Sequence, residues 1–146
     1  MREIPLSAIE EAARTIYDPV IRTPVVRLDW PRPAGRTIDG EIFLKLETLQ
    51  PIGSFKIRGA QNVVRQLSRE SAREGVWTVS AGNAAQGVAL AARLAGVRCS
   101  VMVIDTAPAT KVEAIERLGA TVVRASYDEC WRTVETHTSD RMRGLF

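Results

Sequence analysis

Residues 76–125 read VWTVSAGNAAQGVALAARLAGVRCSVMVIDTAPATKVEAIERLGATVVRA. Val76–Ser80, Cys99–Ile104 and Thr121–Ala125 are short apolar runs with many β-branched residues, which predicts buried strands. Between them, Asn83–Leu94 and Thr110–Leu118 repeat their apolar residues at helical spacing. Gly96 and Gly119 stand just past those helices, where a residue with positive φ often ends a helix. Strands separated by single helices predict a parallel sheet with right-handed crossovers. A further helix is predicted from Tyr127 to about Met142. Gly144-Leu145-Phe146 then reads as the approach to another strand, and an apolar strand start at the last residue suggests truncation.

Upstream the pattern is looser. Pro5–Tyr17 predicts a helix, with Ser7 and Glu10 spaced as a capping box and Ile9, Ala12, Ala13 and Ile16 as its apolar stripe. Val25–Leu28 and Glu41–Glu47 read as strands on either side of a loop, WPRPAGRTIDG, rich in Pro and Gly. Gln50–Gly53 is a turn. Ser54 is a suitable cap for a helix running to about Leu67. Gly59 lies inside that helix at a cost of roughly 1 kcal/mol relative to Ala, which suggests that something approaches its backbone closely.

Composition excludes several functions. Apolar residues make up 45% of the 146 positions and charged residues 25%, as in ordinary globular domains. The net charge of +3 comes from 17 Arg and 3 Lys against 17 acids, dispersed along the chain with no aromatic-interleaved patch for nucleic acid. No apolar run has the length of a membrane span, and the N-terminus has no signal-peptide core, so the cytoplasm is expected. One His and two distant cysteines do not make a usual zinc site, and Cys99, opening a strand, reads as a small buried hydrophobe.

Two stretches carry chemistry. In Pro51–Ala60, PIGSFKIRGA, Lys56 falls in the first turn of a helix. The positive end of the helix dipole disfavours an ammonium there and favours the neutral amine that attacks an aldehyde. Phe55 offers a flat apolar face for a heteroaromatic ring. Taken alone, Lys56 reads first as a lysine snorkelling from a surface helix start. In Ser80–Gly87, SAGNAAQG, a strand ends and a helix opens, at the sheet edge where ligands of parallel α/β folds bind. Free N–H groups at the helix start suit a carboxylate or phosphate, and Asn83 can bond an oxyanion or ring hydroxyl. The plain alternative is a capped strand–helix turn with Asn83 as the cap. The stretch is not GxGxxG, so a nicotinamide site is disfavoured. Lys111, opening a later helix, reads as surface charge.

Together these segments resemble the fold-type II pyridoxal-phosphate enzymes, most closely the threonine/serine dehydratases. Ser54–Ala60 matches the family's S-F-K-x-R-G-A, and Ser80–Gly87 matches its asparagine loop, S-x-G-N-H-A-Q-G. The resemblance covers nearly the whole chain. It implies an α/β unit at residues 54–146, a three-layer parallel sheet with helices on both faces. This is the small domain of the tryptophan synthase β-like fold. Residues 1–53 would belong to the larger cofactor domain, incomplete here.

The resemblance further implies pyridoxal 5′-phosphate as cofactor, with Lys56 forming the Schiff base and removing the α-proton. Phe55 would pack beside the ring and Asn83 would bond its 3′-oxygen. Ser80, Gly82, Asn83, Ala84 and Gln86 would surround the substrate carboxylate. The reaction would be β-elimination of water from L-threonine or L-serine, ending in a 2-oxo acid and ammonia. Ala84 replaces the family's usual His, keeping a backbone N–H but no imidazole. Ala81 replaces the second-face serine of the fold's racemases. The family's glycine-rich phosphate cradle is absent, so weak cofactor binding and little activity are expected of these 146 residues alone. Unpaired strand edges imply a homo-oligomer or self-association. Threonine synthases, β-replacement synthases and a non-catalytic α/β module are the alternatives.

Overall fold

The computed structural model describes residues 3–29 and 40–146. Of the expected loop at 30–40, residues 30–39 lie outside the described residues. Three parallel strands, β3 (Val76–Val79), β4 (Cys99–Ile104) and β5 (Thr121–Ala125), form one sheet in that order. Helices α4 (Asn83–Leu94) and α5 (Ala109–Arg117) make the crossovers, and α6 (Tyr127–Thr136) follows β5. Leu145 adds a parallel bridge to Val76 beside β3, so the C-terminal residues do begin another strand position.

Alternation along the strands explains the layers. Cys99, Val101 and Val103 join Ala85, Ala89, Val112 and Ile115, the inner faces of α4 and α5. Met102 points the other way, with Trp77, Ala125, Cys130 and Met142, beneath α6. Helices therefore cover both faces, as expected for the α/β class. Burial of each large apolar side chain here stabilises by roughly 1.5–3 kcal/mol.

The N-terminal part comprises α1 (Leu6–Ile16), an antiparallel pair of β1 (Val25–Arg27) and β2 (Phe43–Lys45), and α2 (Lys56–Val64). Ile16 and Val20 pack with Ile57, Val64, Leu90 and Ala91, which stacks α1 and α2 on the outer side of α4. Helix α4 is thus buried on two sides, and its small residues allow it.

Several local expectations are corrected. Ser7 is no cap, because the chain enters α1 at Pro5, with extended backbone and no side-chain cap bond, and Ser7 already lies inside the helix. The strand expected over 41–47 forms only at 43–45, and a 3-10 turn takes Glu47–Leu49. Helix α2 stops at Val64, and a separate short helix, α3 (Arg69–Glu74), starts where Ser68 Oγ accepts the Ser71 N–H at 3.1 Å. That hydroxyl offers the backbone a new start just past the expected helix end at Leu67. Helix α6 ends at Thr136, six residues before Met142, because His137 takes a left-handed conformation with φ 56°. A Cβ on Gly59 would meet nothing within 4 Å among the described residues, so none of them makes the close approach expected there.

Candidate active site

The two chemical stretches meet at the starts of α2 and α4. Lys56 is the first residue of α2, and its backbone N–H donates to Ser54 Oγ at 3.3 Å. Ser54 thus caps as expected, although Phe55 occupies the boundary position. Ile57, fully buried, anchors the turn, while Lys56 and Phe55 face solvent. The Lys56 Nζ lies 5.1 Å from the centroid of the Phe55 ring. An amine and an apolar ring therefore stand side by side on one exposed corner.

Helix α4 opens at Asn83 after Gly82, with no side-chain cap and no acid in its first turn. Asn83 is consequently not the cap of a plain turn, and its side chain is exposed. The first amides of such a helix have no intrahelical acceptor and carry the positive end of its dipole. Ser80 Oγ accepts the Gly82 N–H at 3.1 Å and tightens the turn leading in. Ser80, Gly82, Ala84 and Gln86 are half-buried around this opening. A Cβ on Gly82 would approach nothing closer than Ser80 Oγ at 3.9 Å, so the space before the helix is open.

What joins the stretches is Gly87, one turn into α4. A Cβ there would come within 3.1 Å of the Lys56 carbonyl carbon and oxygen and 3.3 Å of the Ile57 nitrogen. The missing side chain lets α4 press closely on the first turn of α2. The backbone of Lys56 and the first turns of α4 are consequently packed against each other. This donor set fits an aldehyde cofactor with an anionic substrate: a primary amine, an apolar ring, a free carboxamide and uncapped N–H groups.

Sequence reasoning missed a polar cluster behind α2. Arg58 donates through Nε to Glu47 Oε2 at 2.9 Å and through Nη2 to Glu47 Oε1 at 2.7 Å. Glu47 Oε1 also accepts the Thr23 hydroxyl at 2.6 Å, and Gln50 Nε2 donates to Oε2 at 3.3 Å. Gln50 completes a two-way bridge with the backbone of Ile21. The Arg58 guanidinium, first among these partners, holds the Glu47 carboxyl down to about 2 against the opposing effect of burial. The presence of Arg58 in the motif was the only available signal.

On the opposite face of the sheet, Ser80, Ala81, Met102, Ile104, Tyr127 and Trp131 border an open apolar hollow of about 210 Å³. No helix among the described residues is long and apolar enough to cross a membrane.

The sequence profile of the pyridoxal-phosphate dependent enzymes matches residues 16–144. The chain belongs to this family. It is 44% identical over 120 residues to an L-threonine ammonia-lyase of Thermotoga maritima, covering 82% of this chain and 29% of that protein. Among solved structures, threonine deaminase isoform 2 of Solanum lycopersicum superposes with a TM-score of 0.72 at 33% identity, over 90% of this chain and 38% of that one. The serine racemase of Dictyostelium discoideum superposes with a TM-score of 0.77 at 34% identity, over 91% of this chain and 43% of that one. The chain thus spans about a third of the length of the curated relatives it matches. Family membership carries pyridoxal phosphate as the cofactor and agrees with the fold expected from residues 76–125.

Proposed function

We propose that this chain supplies the lysine and the carboxylate loop of an ammonia-lyase acting on L-threonine or L-serine. The observation that carries the reading is the seating of Gly87 on the Lys56 backbone, which sets the first turn of α2 against the uncapped helix α4. When bound, pyridoxal phosphate supplies an electron sink for negative charge at the substrate Cα. Lys56 would hold the cofactor and take the α-proton, Phe55 would offer its apolar face to the ring, and Asn83 would supply a hydrogen bond to a ring oxygen. Ser80, Gly82, Asn83, Ala84 and Gln86 bind the substrate carboxylate, largely through N–H groups. Water is lost across Cα–Cβ, and hydrolysis then gives a 2-oxo acid and ammonia.

Ala81 favours elimination over racemisation, because its methyl group moves no proton on the second face. Residues 1–53 would belong to a larger domain and 54–146 to the small one. The exposed Val25, Val26, Phe43 and Leu44 of β1 and β2 suit burial in such a domain or in a homo-oligomer. A cytoplasmic setting accords with two free cysteines.

The test is deamination of L-threonine and L-serine by the protein at its full coding length. Turnover is expected with one or both, and none with Lys56→Ala. Absence of deamination with both substrates, or turnover that survives Lys56→Ala, would refute the reading. The 146 residues alone should show little or no turnover, since the family's glycine-rich phosphate loop is not among them.

A further inference from the structure

Helix α2 is gripped from two directions at its first turn. On one side Gly87 of α4 touches the Lys56 backbone. On another the Arg58 head group reaches Glu47, Thr23 and the Ile21 carbonyl, at 2.7–3.4 Å. Its Nη1 also donates to the Tyr17 hydroxyl at 3.4 Å, while the Arg22 guanidinium lies 4.0 Å from the centroid of that ring. Lys45 donates to the Thr23 carbonyl and closes the ring of partners. Both charged side chains are largely shielded, with 22% of Arg58 and 18% of Glu47 exposed.

A two-pronged guanidinium–carboxylate contact fixes both distance and orientation. Arg58 lies only two residues beyond Lys56, and two separate segments hold its side chain, residues 17–23 and Glu47. Such a joint does more than hold the fold together, since it sets the rotation and height of the turn from which the amine projects. We propose that Glu47 and Arg58 are positioning residues for Lys56. The inference rests on the reading of Lys56 as the cofactor lysine.

The reasoning predicts a separation between stability and reactivity. In Glu47→Gln the guanidinium loses its anionic partner, so both the fold and the amine's placement suffer. The double variant Glu47→Gln with Arg58→Met leaves no stranded charge, so stability returns toward wild type. The orienting contact is still absent, so the placement of Lys56 does not return.

The experiment incubates the full chain with pyridoxal phosphate and cyanoborohydride and maps the labelled lysine by mass spectrometry, with urea unfolding measured in parallel. Covalent capture accumulates even when affinity is low. In the wild type, label should fall on Lys56 in preference to Lys45 and Lys111. In both variants, capture at Lys56 should slow by about tenfold or more, the scale of a sub-ångström to ångström misplacement. In the double variant the urea midpoint recovers while capture does not. If capture recovers together with stability, or never falls, the positioning role is overturned. If the wild type shows no preference for Lys56, the cofactor-lysine reading itself is what fails.

Discussion

The closest constraint in the site is a missing side chain. A Cβ on Gly87 would stand 3.1 Å from Lys56 backbone atoms, tighter than ordinary contact, and backbone yields less readily than a side chain. Gly87→Ala should therefore push α2 outward and destabilise the protein by about 1–3 kcal/mol. Gly59→Ala should do the reverse, gaining roughly 0.5–1 kcal/mol of helix propensity in open space. Thermal unfolding of the two variants checks the pair, and a Gly87→Ala protein as stable as wild type would contradict the contact. Sequence reading applied this logic to the wrong glycine. A glycine within a helix signals either close approach or tolerance, and only the partner helix, far along the chain, tells which.

The elements divide by how local their causes are. The succession of β3, α4, β4, α5 and β5 was legible because apolar runs and helix-stop glycines alternate within short windows. The end of α2, the capped α3 and the left-handed stop at His137 were not, since each is a choice between competing hydrogen bonds of similar worth. The joint between Glu47 and Arg58 was also hidden, because its partners come from segments up to 41 residues apart. It has a pH signature. The Glu47 carboxyl is lowered from its ordinary 4.5 to about 2, chiefly by Arg58, with Thr23 and Gln50 adding bonds. A lowered carboxyl stabilises the fold above its unfolded value, and that stability fades as pH falls. The urea-midpoint gap between wild type and Glu47→Gln should thus be constant above about pH 5 and shrink from about 4.5 toward 2. A gap independent of pH across that window would show that the ion pair does not form.

At the scale of the whole molecule, the sheet places the Ser80–Gly87 loop at the C-terminal end of β3, and α2 brings Lys56 to it across the outer side of α4. The order of the two motifs along the chain was legible, whereas their meeting depends on Gly87 and on α2 lying over α4. A cross-link tests this meeting directly. In Asn83→Cys the introduced thiol is exposed, whereas Cys99 and Cys130 are buried, with the Cys99 thiol pushed up to about 11 by burial. The shortest amine-to-thiol reagent then has three lysines to choose from, Lys45, Lys56 and Lys111. The account predicts that peptide mapping finds the link from position 83 to Lys56. A link to Lys45 or Lys111 instead, in protein that remains folded, would contradict it.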